Sequence, residues 1–154
     1  VINPGEVQVM SAGTGLYHAE YNHSENETVR FFQLWIFPRE KGLKPRYDQK
    51  LFDTQQQRNT PVMLVTPDNR QQTGALWIHQ DAFISTINLE KGHEFNYRLN
   101  ISGNGVFVMN IEGKAAVETN VLHPRDAIAI SESDTFRVQA EETSKLLFIE
   151  IPMK

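Results

Sequence analysis

His18 and Glu20 stand two positions apart in the stretch Leu16-Tyr17-His18-Ala19-Glu20-Tyr21, and their side-chain types are those of metal ligands. In an extended chain successive side chains alternate, so residues two apart share a face. An imidazole nitrogen and a carboxylate oxygen on one face can share a divalent metal. Tyr17, Ala19 and Tyr21 would then point the other way. The same H-x-E pattern on a half-exposed strand is also ordinary polar surface. Two ligands are fewer than the three or four protein groups that a catalytic metal site generally uses. Spacing alone therefore leaves open whether this is half a metal site or polar surface. The sequence contains no cysteine, so any metal would be held by nitrogen and oxygen, and thiolate zinc sites, disulfides and cysteine nucleophiles are excluded.

The elements that must position this pair read as short strands. Pro4-Gly5 followed by alternating residues marks a turn entering a strand, and Gly13 and Gly15 allow a tight bend after it. Residues 29–37, rich in aromatic and β-branched side chains and stopped by Pro38, predict a strand. So do residues 61–66, 75–79, 82–89, 126–130, 135–140 and 146–151. Residues 106–111 and 115–118, facing each other across Glu112-Gly113, predict a hairpin. Turn residues punctuate these runs at Glu90-Lys91-Gly92, Ser102-Gly103-Asn104-Gly105, Pro124-Arg125-Asp126 and Ser131-Glu132-Ser133-Asp134. That spacing is the signature of an all-β sandwich or barrel. No segment holds a helical period; short helical turns are expected at most near Gln55-Gln56-Gln57-Arg58 or around His23. The polar stretch Asp53 to Thr60, with its Gln55-Gln56-Gln57 run, reads as a solvated linker. A second break lies between Pro67 and Gly74. We divide the chain into residues 1–66, a connector 67–74, and a complete barrel over 75–154.

Composition narrows the function. With 154 residues, 40% hydrophobic and 22% charged, the chain has the balance of a globular protein. A net charge of −4 argues against direct binding of nucleic acid, which needs a basic footprint. The local exception, residues 39–46 with Arg39, Lys41, Lys44 and Arg46, is either a solvated loop or a small surface for an anionic partner. No apolar run is long enough for a membrane span and no signal peptide is visible, which points to the cytoplasm. His23, His79, His93 and His123 each stand alone, the pattern of surface or hydrogen-bonded structure rather than of ligands.

The string Met10-Ser11-Ala12-Gly13-Thr14-Gly15-x-x-His18-x-Glu20 resembles the second metal-binding motif of the pirin family, within the cupin superfamily. Gln33-Leu34-Trp35-Ile36 and Pro45-Arg46-Tyr47 are also similar to pirins. The specific part of the resemblance is residues 4–50; the rest agrees in strand pattern. The resemblance implies two stacked antiparallel cupin-type (jelly-roll) β-barrels, here a partial first barrel and a complete second one. It implies one divalent metal, usually Fe(II), held by three histidines and one glutamate. His18 and Glu20 would be two of the four. The other two belong to an H-x-H motif expected before Val1, so the chain is expected to be the C-terminal two-thirds of a longer protein. In the second barrel, Gly92-His93-Glu94-Phe95-Asn96-Tyr97 occupies the place of the metal-binding H-x-H of cupins with a single histidine. Pro124-Arg125-Asp126 resembles the cupin P-x-G turn without its glycine. That barrel is expected to be metal-free.

Two functions follow from the resemblance. One is a metal-dependent dioxygenase of the quercetin 2,3-dioxygenase type, acting on a flavonol-like aromatic substrate. Glu20 would then be both metal ligand and general base toward the substrate hydroxyl. These 154 residues alone would bind iron weakly and be inactive. The other is an iron-dependent regulatory protein that contacts a transcription factor or metabolic enzyme, with the loop from Arg39 to Lys50 as its surface. Under either reading, barrel edges left unpaired at residues 7–10 and 29–37 would favour pairing in a homodimer or mobility.

Overall fold

The computed structural model describes residues 1–54, 57–72 and 74–153. It is all-β, as expected, with twelve strands in three sheets and a single 3₁₀ turn, Asp68–Arg70, among the described residues. Strands β1 (Glu6–Ser11) and β2 (Arg46–Leu51) form a two-stranded antiparallel sheet, in register from Glu6 opposite Leu51 to Ser11 opposite Arg46. A six-stranded sheet has the order β10 (Ala127–Ile130), β7 (Asn104–Glu112), β12 (Ser144–Pro152), β5 (Phe83–Leu89), β3 (Val62–Pro67), β4 (Leu76–Ile78). A four-stranded sheet has the order β6 (Glu94–Arg98), β11 (Thr135–Ala140), β8 (Ala115–Val117), β9 (Asn120–Leu122).

The six-stranded sheet is buried on both faces, which is why its strands read as continuous apolar runs. Along β12, Leu146 and Phe148 enter the core shared with the four-stranded sheet, with Val106, Val108, Val117, Phe136 and Val138. The alternate residues Leu147 and Ile149 enter a second core on the outer face, with Val9, Phe52, Leu64, Val65, Leu76 and Ile84. The β1–β2 sheet covers that outer face through Val9 and through Phe52 just past the end of β2, each 7% exposed.

Beyond the short strands β6 and β9, which the sequence did not mark, the structure differs from the sequence expectation in three places. Residues 29–37 form no strand, and Phe31, Phe32, Trp35 and Phe37 are exposed, Trp35 to 86%. Propensity alone does not make a strand. A ladder needs a neighbour for its backbone N–H and C=O groups, and none of the described strands pairs there. The expected hairpin at Glu112-Gly113 is instead a corner between sheets. β7 already pairs with β10 on one edge and β12 on the other, so β8 crosses to pair with β9 and β11. Gly113 makes the crossing feasible, at φ 75° with its α-carbon against the Thr143 carbonyl. Third, residues 46–51, read as loop, are strand β2. Of the expected helical turns, Gln55 and Gln56 lie outside the described residues, and the segment around His23 forms bends rather than helix.

Candidate functional site

His18 and Glu20 lie beyond the end of β1, on a stretch that belongs to no sheet. The way they are presented starts at the turn after Ser11. Gly15 N–H donates to the Ala12 carbonyl at 2.8 Å, closing a turn, and Gly13 adopts φ 55°. The chain then runs to His18 and Glu20, whose Nε2 and Oε1 are 4.0 Å apart. The two side chains therefore face the same side, as the spacing implied, although the segment is not a strand. They are 45% and 40% exposed, and among the described residues neither has a hydrogen-bond partner. Tyr17 and Tyr21 are fully exposed.

One nitrogen and one oxygen donor at this separation suit two positions on a divalent metal. They make half a site. Among the described residues no group of three or more His, Asp or Glu side chains is close enough to hold a metal ion.

The remaining histidine with a defined environment is His79, at the end of β4. Its Nδ1 lies 2.8 Å from Asp68 Oδ2. Arg39 joins the same group: its guanidinium donates to Asp68 Oδ1 and, at 2.8 Å, to Asp81 Oδ1. Arg39 N–H also donates to the His79 carbonyl at 2.8 Å, and Gln80 Nε2 to the Phe37 carbonyl at 2.7 Å. Together these pin the end of the aromatic segment 29–37 onto the six-stranded sheet. Burial raises the Asp68 pKa, but the hydrogen bonds and charges of Arg39 and His79 outweigh it and hold the carboxyl below its ordinary value. The basic loop of residues 39–46 is accordingly committed at both ends. The Arg46 guanidinium sits 3.5 Å from the Trp77 ring centroid, donates to the Trp77 carbonyl at 2.8 Å and pairs with Asp48 at 2.8 Å.

Glu150 is the carboxylate that the sequence reading missed. It is fully buried between the six- and four-stranded sheets, and five donors surround it. Asn100 N–H reaches both oxygens at 3.0 Å, and Ile101 N–H reaches Oε1 at 3.0 Å. The Asn100 and Asn104 side-chain amides donate at 2.8 and 3.0 Å, and Tyr97 OH at 2.9 Å. Burial first, and the Glu150 carboxylate second, push the Tyr97 hydroxyl well above its ordinary pKa. This cluster fixes the corner between β6 and β7. Its signal in the sequence is a lone acidic residue inside an apolar strand, Leu146-Leu147-Phe148-Ile149-Glu150-Ile151. His93 and His123, by contrast, are exposed.

Comparison with known proteins agrees with this architecture. Residues 63–151 match the family model described as the quercetinase C-terminal cupin domain, and residues 1–36 match that of pirin. The chain is 32% identical over 148 residues to a quercetin 2,3-dioxygenase of Escherichia coli (strain K12), covering 96% of this chain and 62% of the relative. It is 33% identical over 146 residues to a pirin-like protein of Caulobacter vibrioides, covering 95% and 62%. Among solved structures it is similar to the bacterial pirin YhhW from Escherichia coli in complex with nickel(II). That match has a TM-score of 0.87 and 30% identity, over 96% of this chain and 62% of that one. The chain thus spans 62% of the length of each of these relatives.

Proposed function

The chain belongs to the pirin family and has its cupin fold, and from that premise we propose that it supplies half of a metal centre in a dioxygenase of the quercetin 2,3-dioxygenase type. The observation that carries this reading is the pair His18 and Glu20, held 4.0 Å apart on one side of the chain and exposed. The names of the relatives support the substrate class, a flavonol-like aromatic. The nickel(II) bound by the related pirin supports a divalent metal, Fe(II) being the ion that the family resemblance implies.

In this reading His18 Nε2 and Glu20 Oε1 hold the metal, with two further imidazoles coming from sequence outside these 154 residues. The metal would supply a Lewis-acid centre for a flavonol oxygen. Glu20 has a second oxygen with which to accept the flavonol hydroxyl proton, as a general base within hydrogen-bond reach. The chain divides functionally into the metal-bearing unit 1–66 and the metal-free barrel 75–154, with 67–74 as connector. β3 ends the first unit and hydrogen-bonds to β5, so it joins the two. The protein works in the cytoplasm on this reading, and no helix among the described residues is long and apolar enough to cross a membrane.

The test is quercetin consumption with Fe(II) or Ni(II) by a product that carries the additional histidines, set against its His18→Ala and Glu20→Gln variants and against the 154-residue chain. We expect turnover only in the first, with losses of at least about a hundredfold in both variants. Turnover unchanged by either substitution would overturn the assignment. An alternative is an iron-dependent regulatory protein that contacts a protein partner, and its sequence ground was the basic loop. The ion pairs of Arg39 and Arg46 within the fold leave that loop less charge to offer. A homodimer through residues 29–37 is the reading favoured by their exposed aromatic side chains.

A further inference from the structure

In the turn that launches the His18–Glu20 pair, Gly13 packs closely against the rest of the protein. β1 ends at Ser11 opposite Arg46, the first residue of β2. Past that point the two chains stay in contact, because Gly13 is seated directly on the backbone that leads into β2. A Cβ at Gly13 would overlap the Leu43 carbonyl oxygen and lie 2.7 Å from Pro45 N and 2.9 Å from Lys44 C. All three are main-chain atoms, held by the adjoining ladder, and none can swing aside as a side-chain tip would. The backbone at Gly13 is also left-handed, φ 55°, which favours glycine. Gly15, two residues on, is likewise at positive φ, 125°, but a Cβ there would meet nothing within 4 Å. The two glycines thus share conformational freedom and differ in contact: only Gly13 needs the missing side chain for close approach.

We infer that Gly13 is a positioning residue for the metal half-site: its backbone contact with residues 43–45 fixes where the chain leaves β1, and so where His18 and Glu20 stand. This rests on the reading of those two residues as ligands. Any side chain at Gly13 must lift the turn off residues 43–45, and the displacement is carried five residues on to His18.

The experiment is a Co(II) titration of the 154-residue chain, read by the paramagnetic shifts of the backbone amide protons of residues 16–22, in the wild type, Gly13→Ala, Gly15→Ala and His18→Ala. Amide exchange of β1 and β2 is followed in each. We expect Gly13→Ala to weaken Co(II) binding about tenfold, in the range typical of losing a group that orients a ligand. Gly15→Ala, where φ 125° is the less hospitable backbone for a side chain but no atom is overlapped, should weaken it less than about threefold. The β1–β2 amides should stay protected in both. If His18→Ala abolishes the shifts while Gly13→Ala binds like the wild type, the positioning role falls and the ligand reading stands. If Gly13→Ala opens the β1–β2 amides, Gly13 serves sheet stability and the inference is overturned. If His18→Ala changes nothing, the ligand reading falls and takes this inference with it.

Discussion

Glu150 and Glu20 are both carboxylates in one chain, and their surroundings are opposite. Glu150 lies inside the sandwich with five donors on its two oxygens, in a cluster closed by Tyr97, Asn100, Ile101 and Asn104. Nothing is left over for a ligand. Glu20 is 40% exposed beside a 45% exposed imidazole, with no hydrogen-bond donor among the described residues committed to it. A buried carboxylate must be satisfied by its own protein, because leaving it unpaired costs several kcal/mol. An exposed one can wait for a ligand. Burial and saturation therefore mark Glu150 as architecture, while exposure and pairing with a histidine leave Glu20 free for chemistry.

That contrast breaks most directly at Glu150. Replacing Glu150 with Gln puts an NH₂ group among donors and leaves buried groups unsatisfied, at a cost of about 3 kcal/mol. For a chain of this size that lowers Tm by roughly 6–12 °C. Denaturant or thermal unfolding measures it, and a neutral Glu150→Gln would mean that the cluster is not the anchor of the β6–β7 corner. Tyr97 sharpens the same point from the alkaline side. Its pKa is raised in the folded state, so its hydroxyl is neutral in both states below about pH 10 and its contribution there is complete. As pH rises through the folded value that contribution is lost. The Tyr97→Phe variant should therefore lose less stability than the wild type between about pH 10 and 11.

The Arg39–Asp68–His79 group is intermediate, half-buried and ionic. Asp68→Asn should cost about 1 kcal/mol, since partly exposed ion pairs are screened by water and salt. It should also speed amide exchange at Arg39, whose N–H is bonded to the His79 carbonyl. Asp68 has a lowered folded pKa, so its contribution is present above the ordinary carboxylate value near pH 4 and is lost as pH falls through the folded value. The latch should thus open from the acid side, whereas the sandwich weakens from the alkaline side. Smallest of all are the effects at the candidate site itself. His18→Ala and Glu20→Gln should each change stability by less than about 0.5 kcal/mol, as surface substitutions do. A larger loss would place them in the architecture with Glu150.

How much of this the sequence discloses depends on whether the cause is local. β3, β5 and β12 could be read because double burial makes them apolar, β10 and β11 because their side chains alternate in exposure, and turn residues bound them. β2 could not, because Arg46-Tyr47-Asp48-Gln49-Lys50-Leu51 is a polar strand whose place is fixed by β1 more than thirty residues earlier. Residues 29–37 misled for the opposite reason, with strong propensity and no partner to pair with. At the site, the H-x-E spacing is local and correctly placed His18 and Glu20 side by side. The Glu150 cluster joins residues about fifty positions apart, and the Arg39–Asp68 pair spans 29. Such pairings carry no local period to read, although the lone Glu150 in an apolar run was a legible warning.

The claim that chemistry belongs to the exposed pair and not to the sandwich has a direct test. Substoichiometric Mn(II) added to the isotope-labelled 154-residue chain broadens the resonances of residues nearest the ion, even when binding is weak. We expect broadening centred on residues 16–22 at the lowest Mn(II), abolished by His18→Ala, with residues 97–104 and Glu150 unaffected. Broadening centred on the sandwich, or on His79, His93 or His123 ahead of His18, would contradict it.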